Sequence, residues 1–301
     1  MRSVSCLFFL CMMLSWGNAQ TLGGSSTYNF LKMQWVPQAS ALGGRNISLF
    51  NNDVALFNDN PALLRAEHHG NIMANFTSIA PTIHGLFGAG AYHHENLNTT
   101  FGLGIAHLQY GNEIQTDAAG NITGNFTAYD QMISMAAARS YGERWFYGAS
   151  LKFINSRYGA YSSMGMAADV GINYYDEESM IQAGFVAKNM GVQLKSYANQ
   201  PEDLPFDMLL GVSKQLEKAP IRFSLTAQRL HQYNILYKDE SFELDNYGNT
   251  IKNGFGINIM SHLIAGTEVF LGEKVVASVG YNFLRRRELQ IANLANGLTG
   301  F

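Results

Sequence analysis

The sequence predicts an all-β protein, an antiparallel transmembrane β-barrel whose N-terminal segment folds into the lumen as a plug. Three observations predict it. From about Gly70 onward, segments of roughly ten to fifteen residues alternate large apolar with small or polar side chains, as strands do when one face meets lipid and the other the lumen. The gaps between these segments, after a first hairpin that breaks the rule, run short, long, short, long. Outer-membrane barrels have that parity, with tight periplasmic turns and larger external loops. Charged residues are only 14% of the 301, against about 25% in a typical soluble domain, and the mean hydropathy is −0.06. Beyond the N-terminus no run approaches the ~18 consecutive apolar residues of a helical span. A barrel hides its hydrophobicity in every second residue. A soluble β-sandwich alternates too, but its strands of ~5–6 residues are shorter than most of these.

The chain opens with Met1-Arg2, an apolar stretch from Val4 to Trp16, and Gly17-Asn18-Ala19 before Gln20. A basic start, a short apolar run and a small residue at its end predict a secretory signal peptide over 1–19, cleaved after Ala19. Leu10 stands before Cys11 where a lipoprotein needs a small residue, and the run is too short to span comfortably. Both cysteines, Cys6 and Cys11, lie in it. The mature chain then has no thiol, which excludes disulfides, zinc–thiolate sites and cysteine nucleophiles. A formal net charge of −3 gives no basic field for nucleic acid.

Residues 20–69 do not read as strands. Small residues and turn formers recur, as in Ala39-Ser40-Ala41-Leu42-Gly43-Gly44 and Asn58-Asp59-Asn60-Pro61-Ala62. Asp53 is placed to cap one helical turn. Asn60-Pro61 stops it, because a residue before proline is pushed out of the α region. Such a segment suits a confined space, and Asn58, Asn60, Pro61 and Ala62 form the candidate plug motif. A periplasmic extension is the other reading.

The barrel occupies 70–301. Its clearest strand is Met164–Tyr175, with Met164, Met166, Ala168, Val170, Ile172 and Tyr174 outward and Gly165, Ala167, Asp169, Gly171 and Asn173 inward. Runs over 145–155, 221–230 and 275–283 repeat the pattern, with Lys152 and Ser150 inward in the first. Less regular runs cover 70–80, 83–93, 99–110, 125–139, 179–190, 206–215 and 255–270. With the mature N-terminus in the periplasm, external loops fall near 81–82, 111–124, 156–161, 191–205, 232–254 and 285–296. The count is about eleven strands, with a twelfth barely begun at Gly297–Phe301. A closed barrel wants an even number, so the sequence predicts a C-terminally truncated or incompletely closed barrel.

The string GGSSTYNFL (23–31), followed by ALGGRNISLFNNDVALFNDNPALL (41–64) and later YNFLRRREL (281–289), resembles the PorQ family of type IX secretion outer-membrane proteins. The resemblance runs from about Leu22 through Leu289. It implies a fold similar to that of PorV and the FadL-type transporters, with about fourteen strands, as an even-numbered barrel allows, and an N-terminal plug. It also implies a place in an attachment complex in the bacterial outer membrane. There the barrel anchors a PorZ-like surface protein, with PorU and PorV in the same complex, and cargo is linked to lipopolysaccharide. No cofactor is implied.

Chemical motifs are few. His68-His69 and His93-His94 make poor chelators, since adjacent strand residues point to opposite faces. Gly85, Gly88 and Gly90 lack the strand–loop–helix setting of a phosphate loop and read as a small face with room for the plug or for tight strand curvature. Ser134, Ser150 and Ser224, with His107 and His231, satisfy no spacing rule for a nucleophile and base. Asn75-Phe76-Thr77 and Asn98-Thr99-Thr100 read as chance triplets. Arg285-Arg286-Arg287 is the one compact basic cluster. It reads as a solvated loop or as a contact for lipopolysaccharide phosphate. No catalytic, metal or cofactor residue is assigned. The expected function is a non-enzymatic anchoring barrel; the alternatives are a FadL-type transporter of a hydrophobic small molecule and a barrel enzyme.

Overall fold

The computed structural model describes residues 26–49, 51–198, 200–236, 255–272, 275–288 and 300. Eleven strands form one antiparallel sheet in chain order. They are β1 (Ile72–Ala80), β2 (Ile83–His94), β3 (Thr99–Thr116), β4 (Ile122–Tyr141), β5 (Trp145–Tyr158), β6 (Tyr161–Asp176), β7 (Ile181–Lys195), β8 (Asp207–Gln215), β9 (Ile221–Ala227), β10 (Leu263–Leu271) and β11 (Val275–Asn282). β1 and β11 are the end strands. The Asn282 N–H, on the edge of β11 away from β10, donates to the Gly300 carbonyl at 2.7 Å. The signal peptide, the terminal residues 289–299 and 301, and most of the largest predicted loop, 237–254, lie outside the described residues.

Alternation determines which face is which. On β3 to β6 the outward Leu103, Ile105, Ile133, Met135, Leu151, Phe153, Val170 and Ile172 are each 43–53% exposed. Their inward neighbours Gly104, Ser134, Lys152 and Gly171 are buried. A continuous apolar outer belt of this kind is stable in hydrocarbon and not in water. Tyr92, Tyr141, Trp145 and Tyr147 are exposed together near the short-turn end, where aromatic side chains gather at a membrane interface. No described helix is long and apolar enough to cross a membrane.

The hydrophobic core lies inside the curl of the sheet and is built largely from the N-terminal segment, which carries a short helix, α1 (Pro37–Ala41). Trp35, Val36, Leu42, Ile47, Leu49, Leu56, Phe57 and Leu64 are almost fully buried. Trp35 stacks on Phe87 of β2 with ring centroids 5.7 Å apart. The segment touches wall strands from one edge of the sheet to the other: the Asn75 side chain of β1 donates to the Trp35 carbonyl at 2.7 Å, and that of Asn282 on β11 donates to the Gly43 carbonyl at 3.2 Å. The segment is therefore a luminal plug.

Several expectations need correction. The predicted loop 111–124 is mostly strand, because β3 and β4 continue pairing past a bulge near Gly111 (φ 91°) to a turn closed by Asp117. Asp117 accepts from the backbone N–H of Ala119 and Asn121, both at 2.9 Å. The loop near 156–161 shrinks to a tight turn, and β7 runs on to Lys195. The 20 residues of β4 are about twice the ~9–11 that a tilted crossing needs, so the β3–β4 hairpin extends well past the length of one bilayer crossing on the long-loop side. The predicted strand 255–270 begins as a helix, α2 (Phe255–His262), where Asn258 and Ser261 are buried three residues apart; the apolar run concealed a helical period. The strand predicted over 221–230 ends at Ala227, just before Arg229 turns left-handed (φ 55°). Arg285 to Arg287 are not in a loop. They lie on α3 (Phe283–Glu288), whose first turn is capped by the Asn282 side chain accepting from the Arg285 N–H at 3.1 Å.

Candidate functional site: the plugged lumen and its outer mouth

The predicted plug motif is brought together and sealed. Asp53 accepts from the Ala55 N–H at 2.9 Å and caps a 3₁₀ turn over Val54–Asn58. Asn60 is extended (φ −148°), as the following proline requires, and its side chain caps the next turn, Pro61–Leu63, through the Ala62 N–H at 3.0 Å. Asn58, Asn60, Pro61 and Ala62 are all buried.

Glycines in the wall make the fit possible. A Cβ at Gly148 of β5 would lie 2.6–2.8 Å from the Pro61–Ala62 backbone, and one at Gly184 of β7 would lie 2.7 Å from the Ile47 carbonyl oxygen. Of the three glycines expected to form a small inner face, only Gly85 does so, against Trp35. Gly88 and Gly90 are in the opposite register and face outward, because the strand period is two.

Charges fix the plug to the wall. Lys188 of β7 donates from Nζ to the Asn58 carbonyl at 2.8 Å and lies 3.4 Å from Asp59 Oδ1. The Gln34 side chain donates to the other Asp59 oxygen at 2.8 Å. Beside this pair, Lys152 Nζ is 2.6 Å from Asp169 Oδ2 and donates to Asn189 Oδ1 at 2.9 Å; both members of the ion pair are essentially buried. Arg222 pairs with Glu268 at 2.6 Å nearer the β11 side. Reading the sequence placed Lys152 and Asp169 inward without pairing them. Opposite charges in the inward register of adjacent strands are the signal that could have done so.

At the long-loop end a mouth cavity of about 400 Å³ lies between the plug and the upper parts of β1 and β11. Lys32, Arg45 and Arg285 line it with Gln34, Thr77 and Asn282, and among the described residues no acidic side chain does. Arg45 is paired with Asp207 at 2.7 Å. Lys32 is held by the neutral Asn29 Oδ1 at 2.8 Å. The Arg285 guanidinium lies against Gly44, whose φ of +96° and missing Cβ leave it room. The arginine triplet is therefore divided. Arg285 faces the cavity, whereas the Arg286 guanidinium donates to the Tyr281 hydroxyl at 2.6 Å and is exposed.

The remaining candidates do not converge. His107 is on the outward register of β3, while Ser134 is inward on β4 and donates to the Gly104 carbonyl. His231 lies 4.0 Å from Asp207. His68 is in the plug, not on a strand; its Nδ1 accepts from the Arg65 N–H and its Nε2 faces the Asn51 carbonyl at 3.2 Å. Burial holds its pKa below the ordinary histidine range. The His93 N–H donates to His69 Nδ1 at 3.1 Å, while His94 Nδ1 faces the Leu97 N–H at 3.4 Å. Among the described residues no group of three His, Cys, Asp or Glu is placed to hold a metal.

No protein-family model matches the chain, and no curated protein does. Among solved structures it is similar to the CymD monoaromatic hydrocarbon channel, at 14% identity and a TM-score of 0.47, over 82% of this chain and 83% of that one. No residue role is carried across at that identity.

Proposed function

We propose that this chain is a non-enzymatic outer-membrane barrel that anchors a surface partner. The observation that carries the proposal is that the lumen holds a segment which supplies most of the hydrophobic core and is pinned to the wall by Lys188 and Asp59. A plug of that kind serves rigidity better than passage. The β3–β4 hairpin, extending past the membrane on the long-loop side, offers a surface to which a large partner could dock. The finer reading rests on the PorQ resemblance: a component of the type IX attachment complex that holds a PorZ-like protein, with PorU and PorV, where cargo is joined to lipopolysaccharide. Gentle detergent extraction of the native protein, followed by identification of what accompanies it, tests this. A stoichiometric surface protein supports the anchor. Its absence, with a bound hydrophobic small molecule instead, overturns it.

A second reading, a FadL-type transporter of a hydrophobic small molecule, is favoured by the mouth cavity beside the plug. The hydrocarbon channel's name belongs to this reading. It requires the plug to move. Uptake of a small aromatic or fatty acid into proteoliposomes, abolished when the plug is cross-linked to β7, supports transport; equal uptake with the plug locked contradicts it.

A further inference from the structure

We propose that the mouth cavity is a binding site for a phosphate group, held by Lys32, Arg45 and Arg285. Three parts of the chain bring these cations together. Lys32 ends a 3₁₀ turn of the plug (Asn29–Lys32), Arg45 follows the Gly43-Gly44 turn, and Arg285 is on α3 beyond β11. They are far apart in sequence, so their meeting around one cavity of about 400 Å³ is a property of the fold.

The charge balance favours an anion. Asp207 offsets Arg45, but among the described residues Lys32 bonds only neutral oxygens and no carboxylate pairs with Arg285. Burial, with Arg229 and Arg45 nearby, lowers the pKa of Lys32 against the opposing pull of Asp207 and Glu288. A cation destabilised in this way is one that a bound anion would stabilise. Gln34 and Asn282 add neutral amides to the lining. A planar guanidinium facing an ammonium across a cavity matches tetrahedral phosphate oxygens, which Arg binds in a fork and Lys as a point charge.

The phosphate could belong to a lipid headgroup or to a free ion. The cavity lies at the long-loop end and reaches the strand edges of β1 and β11 through Thr77, Ile79 and Asn282. That places it beside the headgroups of the leaflet surrounding that rim. The inference depends on the barrel lying in a membrane, not on which surface partner it anchors.

The test uses the purified full chain in detergent and native mass spectrometry. The probes are diphosphorylated lipid A, dephosphorylated lipid A and inorganic phosphate. A lipid source predicts that diphosphorylated lipid A is retained at least tenfold more tightly than the dephosphorylated form. It also predicts that K32Q/R285Q loses that preference and that millimolar inorganic phosphate competes weakly. A free-ion source predicts that inorganic phosphate binds alone and displaces lipid A fully, again lost in K32Q/R285Q. R286Q, whose guanidinium is bonded to Tyr281, should match the wild type in either case. Heat-modifiable gel migration reports whether each variant is folded. Equal retention of phosphorylated and dephosphorylated lipid with no phosphate binding, or full phosphate preference in a folded K32Q/R285Q, overturns the proposal.

Discussion

Replacing Lys188 by Met should loosen the plug by about 3 kcal/mol, the lower end of the ~3–5 kcal/mol for breaking a buried ion pair from one side. The ion-pair side chains are only 7% and 8% exposed, so water screens them little. The lower end applies because the nitrogen–carboxylate distance is 3.4 Å, while the shorter contact, 2.8 Å, is to the neutral Asn58 carbonyl. Met keeps the stem volume and removes the charge, leaving Asp59 with the Gln34 amide alone on that side. The double variant K188M/D59L removes both charges and should cost less than K188M by itself, since an uncompensated buried carboxylate is the larger penalty. In the mature chain, without Trp16, Trp35 sits in the plug and Trp145 is exposed on the outer face of β5, so a Trp145→Phe background isolates the plug signal. Urea unfolding in lipid vesicles, followed by Trp35 fluorescence, reads the difference. A K188M shift under about 1 kcal/mol would refute the latch, as would double-variant losses that simply add, because neighbouring partners should couple by ~0.5–3 kcal/mol.

Gly148→Val should prevent assembly of a heat-modifiable barrel, because its side chain would occupy the Pro61 backbone. Gly88→Ala, facing outward with nothing nearer than 3.9 Å, should fold as the wild type does. Leu151→Arg places a charge in the apolar belt and should cost about 2–4 kcal/mol if it lies near the bilayer midplane, read by the same unfolding assay. His68 supplies a pH dependence. Its folded pKa is depressed by burial, so its contribution is complete above the unfolded value of about 6.5 and is lost as pH falls below it. Protease protection of the plug should therefore weaken on acidification. His68→Gln, which can still accept from the Arg65 N–H and donate to the Asn51 carbonyl, should flatten that response.

The strands were legible because their period is two and their outer face is uniformly apolar: Met164 to Tyr174 and Gly165 to Asn173 occupy the faces their spacing predicts. Ends were legible less often. The turn at Asp117 and the pairing of Asn112 with Thr127 depend on cross-strand bonds that a single run does not encode. The helix over Phe255–His262 was hidden because isoleucine and phenylalanine suit either element. For the plug, local chemistry sufficed at Asp53 and Asn60, whose capping depends on near neighbours. The grip of Lys188 on Asn58, 130 positions away, depends on register around the sheet. The same distance effect hid the cation cluster: adjacency drew attention to Arg285–Arg287, whereas the fold separates them and joins Arg285 to Lys32 and Arg45.

The alternation of lipid-facing and plug-facing side chains on β6 is best tested in the mature chain, which has no cysteine of its own once 1–19 are removed, carrying one cysteine at a time at Met164, Met166, Ala167, Ala168, Val170, Ile172 or Asn173. Each is spin-labelled after reconstitution into vesicles. Accessibility to lipid-dissolved oxygen should be high at Met164, Met166, Ala168, Val170 and Ile172 and low at Ala167 and Asn173, inward positions that already carry a side chain. A flat profile, the reverse alternation, or a folded chain soluble without detergent with the even positions protected would contradict the account.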